Sequence, residues 1–78
     1  MKLELFKFDT CPYCRRVMSF IEQQGRTDIE YRDIHASEEN RARLVEIGGK
    51  QQFPCLFIDG EPLYESMDII NWLEAHPA

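Results

Sequence analysis

The hydrophobic period of this chain changes across four residues, Cys11-Pro12-Tyr13-Cys14, and that change constrains the fold more than any other feature. Before it, Lys2–Phe8 ("KLELFKF") alternates. Leu3 and Leu5 share one face, Lys2 and Glu4 take the other, and then Phe6 and Phe8 swap in. A period of two with apolar residues on either side predicts a strand partly buried on both faces. After it, "YCRRVMSFIEQQG" places Cys14, Val17, Met18 and Ile21 at helical spacing, with Gly25 as a natural stop. Pro12 suits a first helical turn, where a missing N–H would be unpaired anyway. The two cysteines therefore stand at a strand-to-helix junction. Cys11 is the last loop residue and Cys14 lies in the first turn.

The patterning continues downstream. Ile29–Ile34 alternates again and predicts a second strand. Ser37, followed by Glu38 and Glu39, opens a second helix that carries Leu44, Val45 and Ile47 and ends at Gly48-Gly49. Pro54–Ile58 reads as a third strand. Asp59-Gly60 is the dipeptide of a tight hairpin, whose central residues both need positive φ. A short fourth strand near Pro62–Tyr64 pairs back, and Ser66 caps a last helix with Met67, Ile69, Ile70 and Leu73 inward. The order is β-α-β-α-β-β-α, with no linker, repeat or low-complexity segment, so residues 1–78 read as one α/β domain. A strand–helix–strand start makes the first two strands parallel through a right-handed crossover, and the hairpin makes the last two antiparallel. The expected product is one mixed four-stranded sheet with helices on its faces.

Composition narrows the setting. The chain has 78 residues and a formal net charge of −5, with no basic run, which argues against non-specific nucleic-acid binding. Its N-terminus lacks the apolar stretch of a signal peptide, and no apolar run is long enough to cross a bilayer. Three cysteines, two of them close in sequence, do not make a secreted disulfide scaffold. The expectation is a soluble cytoplasmic protein with its thiols mostly reduced.

A Cys-x-x-Cys can be half of a zinc site, an inert pair or a redox dithiol. Zinc needs four ligands, and Cys55, His35 and His76 supply no second paired motif. At a strand-to-helix junction of a βαβ unit the redox reading prevails. The helix N-terminus offers unpaired N–H groups and about half a positive charge, which favours a thiolate at Cys11. Cys14, one turn in and facing the core, is expected to stay protonated until needed. Arg15 and Arg16 point outward and read equally as a solvated face, and Lys7 is similarly open to either reading. Pro54 belongs at a strand start because it cannot donate to the ladder. A cis Phe53-Pro54 bond is expected, which would leave the Phe53 N–H and C=O free to pair with an extended peptide.

"CPYC" after a first strand, "QFPCLFI" and the hairpin behind it resemble the glutaredoxins, members of the thioredoxin fold. "MKLELFKFDTCPYC", "GGKQQFP" and "YESMDIINWL" are more similar to the glutathione-transferase-like branch, represented by the N-terminal domain of bacterial glutaredoxin 2. The resemblance covers the whole chain. Two departures stand out. Phe8 occupies the place where ordinary glutaredoxins carry a lysine, with Lys7 one place earlier, and Glu65-Ser66 replaces their Gly-Gly turn. The helical second domain of the transferase-like branch is absent from these 78 residues.

The resemblance implies a glutathione-dependent thiol–disulfide oxidoreductase acting on glutathione mixed disulfides and protein disulfides. Cys11 resembles the nucleophile and Cys14 the resolving thiol. Phe53, before Pro54, would pair its backbone with the cysteinyl part of glutathione, and Glu65 and Ser66 would hold the γ-glutamyl end. That last assignment has independent support: a carboxylate suits the N-terminus of the last helix, with Glu65 facing the ammonium. Tyr13 and a cation, Lys50 or Lys7, would meet the glycine end. Cys55 reads as a small buried strand residue or a peripheral thiol open to glutathionylation, and both histidines as unremarkable. Glutathione is a co-substrate in this scheme and no cofactor is implied. The partners are glutathione and disulfide-containing or glutathionylated proteins, without nucleic acid or membrane, and the chain is expected to be a monomer. The redox potential would fall in the glutaredoxin range, about −200 to −230 mV. Two rivals remain: glutathione conjugation, which needs the pocket of a helical domain, and a [2Fe–2S] carrier, which the stiffening Pro12 disfavours.

Overall fold

β1 (Leu3–Lys7) has Leu3, Glu4, Leu5 and Phe6 all buried, as only an inner strand covered on both faces can be. The computed structural model, which describes residues 1–78, places it between β2 (Ile29–Asp33) and β3 (Cys55–Ile58). β4 (Glu61–Tyr64) completes the sheet in the order β2-β1-β3-β4. β1 and β2 are parallel, with Leu3 opposite Ile29 and Lys7 opposite Asp33. β3 runs antiparallel to β1 and to β4, with Phe6 opposite Cys55 and Cys55 opposite Tyr64. The hairpin between β3 and β4 turns at Asp59 (φ 50°) and Gly60 (φ 87°), both left-handed as the dipeptide predicts.

The period-two pattern of β1 decides which helix each face receives. Leu3 and Leu5 join Val17, Ile21, Ile29, Leu56, Ile69 and Leu73 in one core beneath α1 (Pro12–Gln23) and α3 (Ser66–Ala75). Phe6, with Phe57 and Cys55 from β3, meets Leu44 of α2 (Glu38–Gly48) on the opposite face. The architecture is the thioredoxin-like α/β fold, a mixed sheet with helices on both sides. None of its helices is long and apolar enough to cross a membrane.

Two details differ from the sequence reading. Val45, Ile47 and Met67 are exposed, because α2 reaches the sheet mainly through Leu44 and α3 through Ile69 and Leu73. Arg43 covers the rest of that face, its guanidinium 5.6 Å and 5.8 Å from the Phe6 and Phe57 ring centroids. Ser66 is the first residue of α3 and Glu65 holds the cap position, with no side-chain capping bond. Glu4, on the face of β1 opposite Leu3 and Leu5, is 2% exposed. Its carboxylate accepts from Arg43 Nη1 at 2.8 Å, Arg43 Nη2 at 3.2 Å and Arg32 Nε at 3.0 Å. The Arg43 hydrogen bonds, helped by Arg32 and opposed by burial, hold that carboxyl down at about 2.

Candidate functional site

Cys11 occupies the N-cap of α1 with extended backbone (φ −77°, ψ 116°). Its Sγ accepts from the Cys14 backbone N–H at 3.3 Å, so sulfur sits where a serine or aspartate oxygen caps other helices. The Arg15 N–H donates to the Cys11 carbonyl at 3.0 Å and the Cys11 N–H to the Phe8 carbonyl at 3.2 Å, which fix the loop to the helix. Pro12 contributes no competing N–H at N1. The sulfur at this end of the helix faces unpaired donors and the positive end of the dipole.

Cys14 has the opposite environment. It is fully buried, and burial, followed by its hydrogen bond with Cys11, pushes its thiol up to about 12. The Phe8 backbone and the Lys7 charge pull the other way and lose. Cys14 therefore carries a proton at neutral pH beside the Cys11 sulfur. Lys7 itself is tied down, with Nζ 2.7 Å from Asp9 and 3.4 Å from Asp33, and these carboxylates, Asp9 first, raise its ammonium above the ordinary lysine value.

A cavity of about 340 Å³ opens beside the dithiol loop, lined by Tyr13, Gln52, Phe53, Pro54, Glu65 and Ser66. Five of the residues expected to hold a ligand meet there, from three separate segments of the chain. The Phe53–Pro54 bond is cis, as expected. Phe8 packs edge-on against Phe53 at 5.4 Å and tilts against His35 at 5.2 Å, so the aromatic residue found at the lysine position braces the Phe53 loop. Ser66 is buried at the first turn of α3, where backbone N–H groups lack helical partners. Glu65 takes φ 72°, a left-handed conformation that a non-glycine residue rarely holds, at the cavity wall.

Lys50 is not among the lining residues. It lies just after the left-handed Gly49 that ends α2, and its Nζ sits 4.5 Å from the Tyr64 ring centroid. Gln52 takes a place that the sequence reading missed, donating from Nε2 to Glu65 Oε1 at 2.7 Å. No local signal marks it, since the partnership spans thirteen residues.

Cys55 is fully buried on the α2 side of β3, where burial pushes its thiol up to about 11. His76 stacks on Trp72 at 4.0 Å, away from the dithiol cavity. No group of three His, Cys, Asp or Glu side chains is placed to hold a metal ion. The chemistry at hand is a helix-capping sulfur, a proton-bearing thiol beside it, and a small cavity with one carboxylate and one helix N-terminus.

A family model described as Glutaredoxin matches residues 3–63. The "Probable glutaredoxin" of Synechocystis sp. is 29% identical over 68 residues, covering 87% of this chain and 77% of that protein. Among solved structures, glutaredoxin from Brucella melitensis superposes with a TM-score of 0.65 and 27% identity, covering 96% of this chain and 79% of its own. Glutathione transferase Omega 3C from Trametes versicolor shares the fold at a TM-score of 0.78 and 23% identity, over 96% of this chain and 33% of that one. The chain belongs to the glutaredoxin family, whose general chemistry is thiol–disulfide exchange.

Proposed function

We propose that this protein is a glutathione-dependent thiol–disulfide oxidoreductase that reduces glutathione mixed disulfides and protein disulfides through Cys11 and Cys14. The observation that carries the reading is the cavity beside the Cys11-capped helix, with Glu65 and the start of α3 in its wall. A γ-glutamyl group presents an ammonium and a carboxylate together. Glu65 suits the first and the α3 N-terminus the second. The Phe53 backbone pairs with the cysteinyl part, and Tyr13 borders the same cavity. Gln52, hydrogen-bonded to Glu65 Oε1, holds that carboxylate at the cavity wall.

In the first half-reaction the Cys11 thiolate attacks the glutathionyl sulfur of a mixed disulfide. The old S–S bond breaks, and its electron pair leaves on the substrate sulfur, which takes up a proton. The Cys11–glutathione disulfide is then attacked by a second glutathione thiolate, which forms oxidised glutathione and returns the Cys11 thiolate. With a protein disulfide, Cys11 forms a mixed disulfide with one substrate sulfur. Cys14 then gives up its proton and attacks the Cys11 sulfur, releasing the substrate as a dithiol and leaving Cys11–Cys14 oxidised. Two glutathione molecules reduce that bond. The raised Cys14 thiol fits a resolving group that stays silent until Cys11 is engaged. A reducing cytoplasm would sustain this cycle.

The test is turnover of a small glutathione mixed disulfide with glutathione and its reductase, repeated with thioredoxin reductase in their place. Activity is expected with the first pair. Cys11→Ser should abolish it, and Cys14→Ser should keep it while losing protein-disulfide reduction. Turnover with thioredoxin reductase alone would overturn the glutathione assignment.

A further inference from the structure

Pro12 and Tyr13 are consecutive, yet they line different hollows. Tyr13 borders the 340 Å³ cavity, whereas Pro12 borders a second groove of about 500 Å³ between α1 and α3. Cys11, immediately before them, caps the helix that divides the two. A glutathionylated protein also has two halves joined at the sulfur that Cys11 attacks. If one half occupies the cavity, the other must leave the sulfur over a different surface, and the groove adjoins the same turn.

The lining of the groove is chemically one-sided. Arg15, Arg16, Phe20 and Ile70 contribute to it together with Pro12, and no carboxylate does. Arg15 and Arg16 are exposed and neither has an ion-pair partner; Lys7, Arg26, Arg32 and Arg43 are each paired with an acid, and the other unpaired cations, Lys2, Arg41 and Lys50, lie outside the groove. The Arg16 guanidinium lies 5.9 Å from the Tyr13 ring centroid, which steers it toward the divide between the hollows. A chain of net charge −5 thus keeps two adjacent unpaired cations beside its nucleophile. Opposite charge across such a surface chiefly raises the association rate and selects partners.

We infer that the α1–α3 groove docks the protein half of a disulfide substrate and favours acidic residues flanking the substrate cysteine. This rests on the oxidoreductase reading above and adds the class of protein that the site takes.

The test compares two glutathionylated peptides of equal length, one with acidic and one with basic flanks, and a small uncharged glutathione mixed disulfide. Each is turned over by the full chain and by the Arg15→Gln/Arg16→Gln variant, which keeps helix propensity. At low salt the acidic peptide should have a kcat/KM about tenfold above the basic one, and high salt should shrink the difference. The double variant should lose most of that preference while its kcat/KM on the small disulfide stays within about twofold, since exposed charges contribute little beyond their own partners. Equal rates for the two peptides with the unaltered chain would overturn the inference, as would a preference that survives in the variant. A parallel fall on the small disulfide would place the arginines in the chemistry instead and also overturn it. Arginine-dependent self-association without peptide preference would assign the groove to a second copy and overturn it too. Absence of turnover of the small disulfide by the unaltered chain would instead remove the underlying oxidoreductase reading.

Discussion

Replacing Glu4 by glutamine should destabilise the fold by about 3 kcal/mol at neutral pH, and the loss should fade in acid. The carboxylate is 2% exposed and bonded to two guanidiniums, and its pKa falls from 4.5 to about 2. A depression of that size corresponds to about 3 kcal/mol at roughly 1.36 kcal/mol per pH unit. Because the folded value is depressed, the stabilisation is fully present above pH 4.5 and disappears as the pH falls through about 2. At pH 3 roughly 1 kcal/mol should remain. A glutamine side chain mimics the protonated acid in shape, so the two proteins should converge as the pH drops. Urea denaturation from pH 7 to pH 3, followed by circular dichroism, gives both stabilities from the midpoint and slope. For a domain of this length the whole stability is about 4–12 kcal/mol, so the effect is readily measured. A difference that is independent of pH, or below about 0.5 kcal/mol at pH 7, would refute the claim that ionised Glu4 holds Arg32 and Arg43 against the sheet.

Three further outcomes follow from the same geometry. Glu65→Ala combined with Gln52→Ala should raise the KM for glutathione by a factor corresponding to about 1.5–3 kcal/mol with the fold intact; an unchanged KM would take both residues out of the site. Gly48→Ala places a methyl against the Tyr64 hydroxyl and ring and should cost about 1 kcal/mol, only part of it recovered by adding Tyr64→Phe, which removes the hydroxyl but leaves Cζ close by; thermal melts in which Gly48→Ala matches the unaltered chain would contradict this. Cys14 and Cys55, held up to about 12 and about 11, should resist iodoacetamide at pH 7 in the folded protein and react once it is unfolded; rapid labelling of either in the native state, read by mass spectrometry, would contradict their burial.

What was legible in the sequence was local. The change of period around Pro12, the Asp59-Gly60 turn and the Gly48-Gly49 stop each depend on residues within one turn or strand of each other, and each element formed where they indicated. Cys11 and Cys14 belong to the same class, since three-residue spacing on a helix fixes their relation. What was not legible depends on distant pairs. Alternation puts Glu4 on the face opposite Leu3 and Leu5 but names no partner for it; β1 is an inner strand with both faces covered, so the acid is buried with Arg32 and Arg43 brought in from β2 and α2. Gln52 becomes part of the cavity wall only because Glu65 folds back beside it. The resemblance names Lys50 only as a cation for the glycine end of glutathione, whereas the turn at Gly49 sends it over Tyr64. Val45, Ile47 and Met67 were apolar at plausible helical positions, but a short helix needs few contacts to seat on a small sheet.

The central claim, that Cys11 is the sulfur that accepts glutathione, is tested most directly by trapping. The Cys14→Ser variant, reduced and then exposed to oxidised glutathione at neutral pH, cannot resolve an adduct internally. Mass spectrometry of the intact protein and its peptides should show one glutathionyl group, carried by Cys11 and released by added glutathione. An adduct on Cys55, or an unmodified Cys11, would contradict the account.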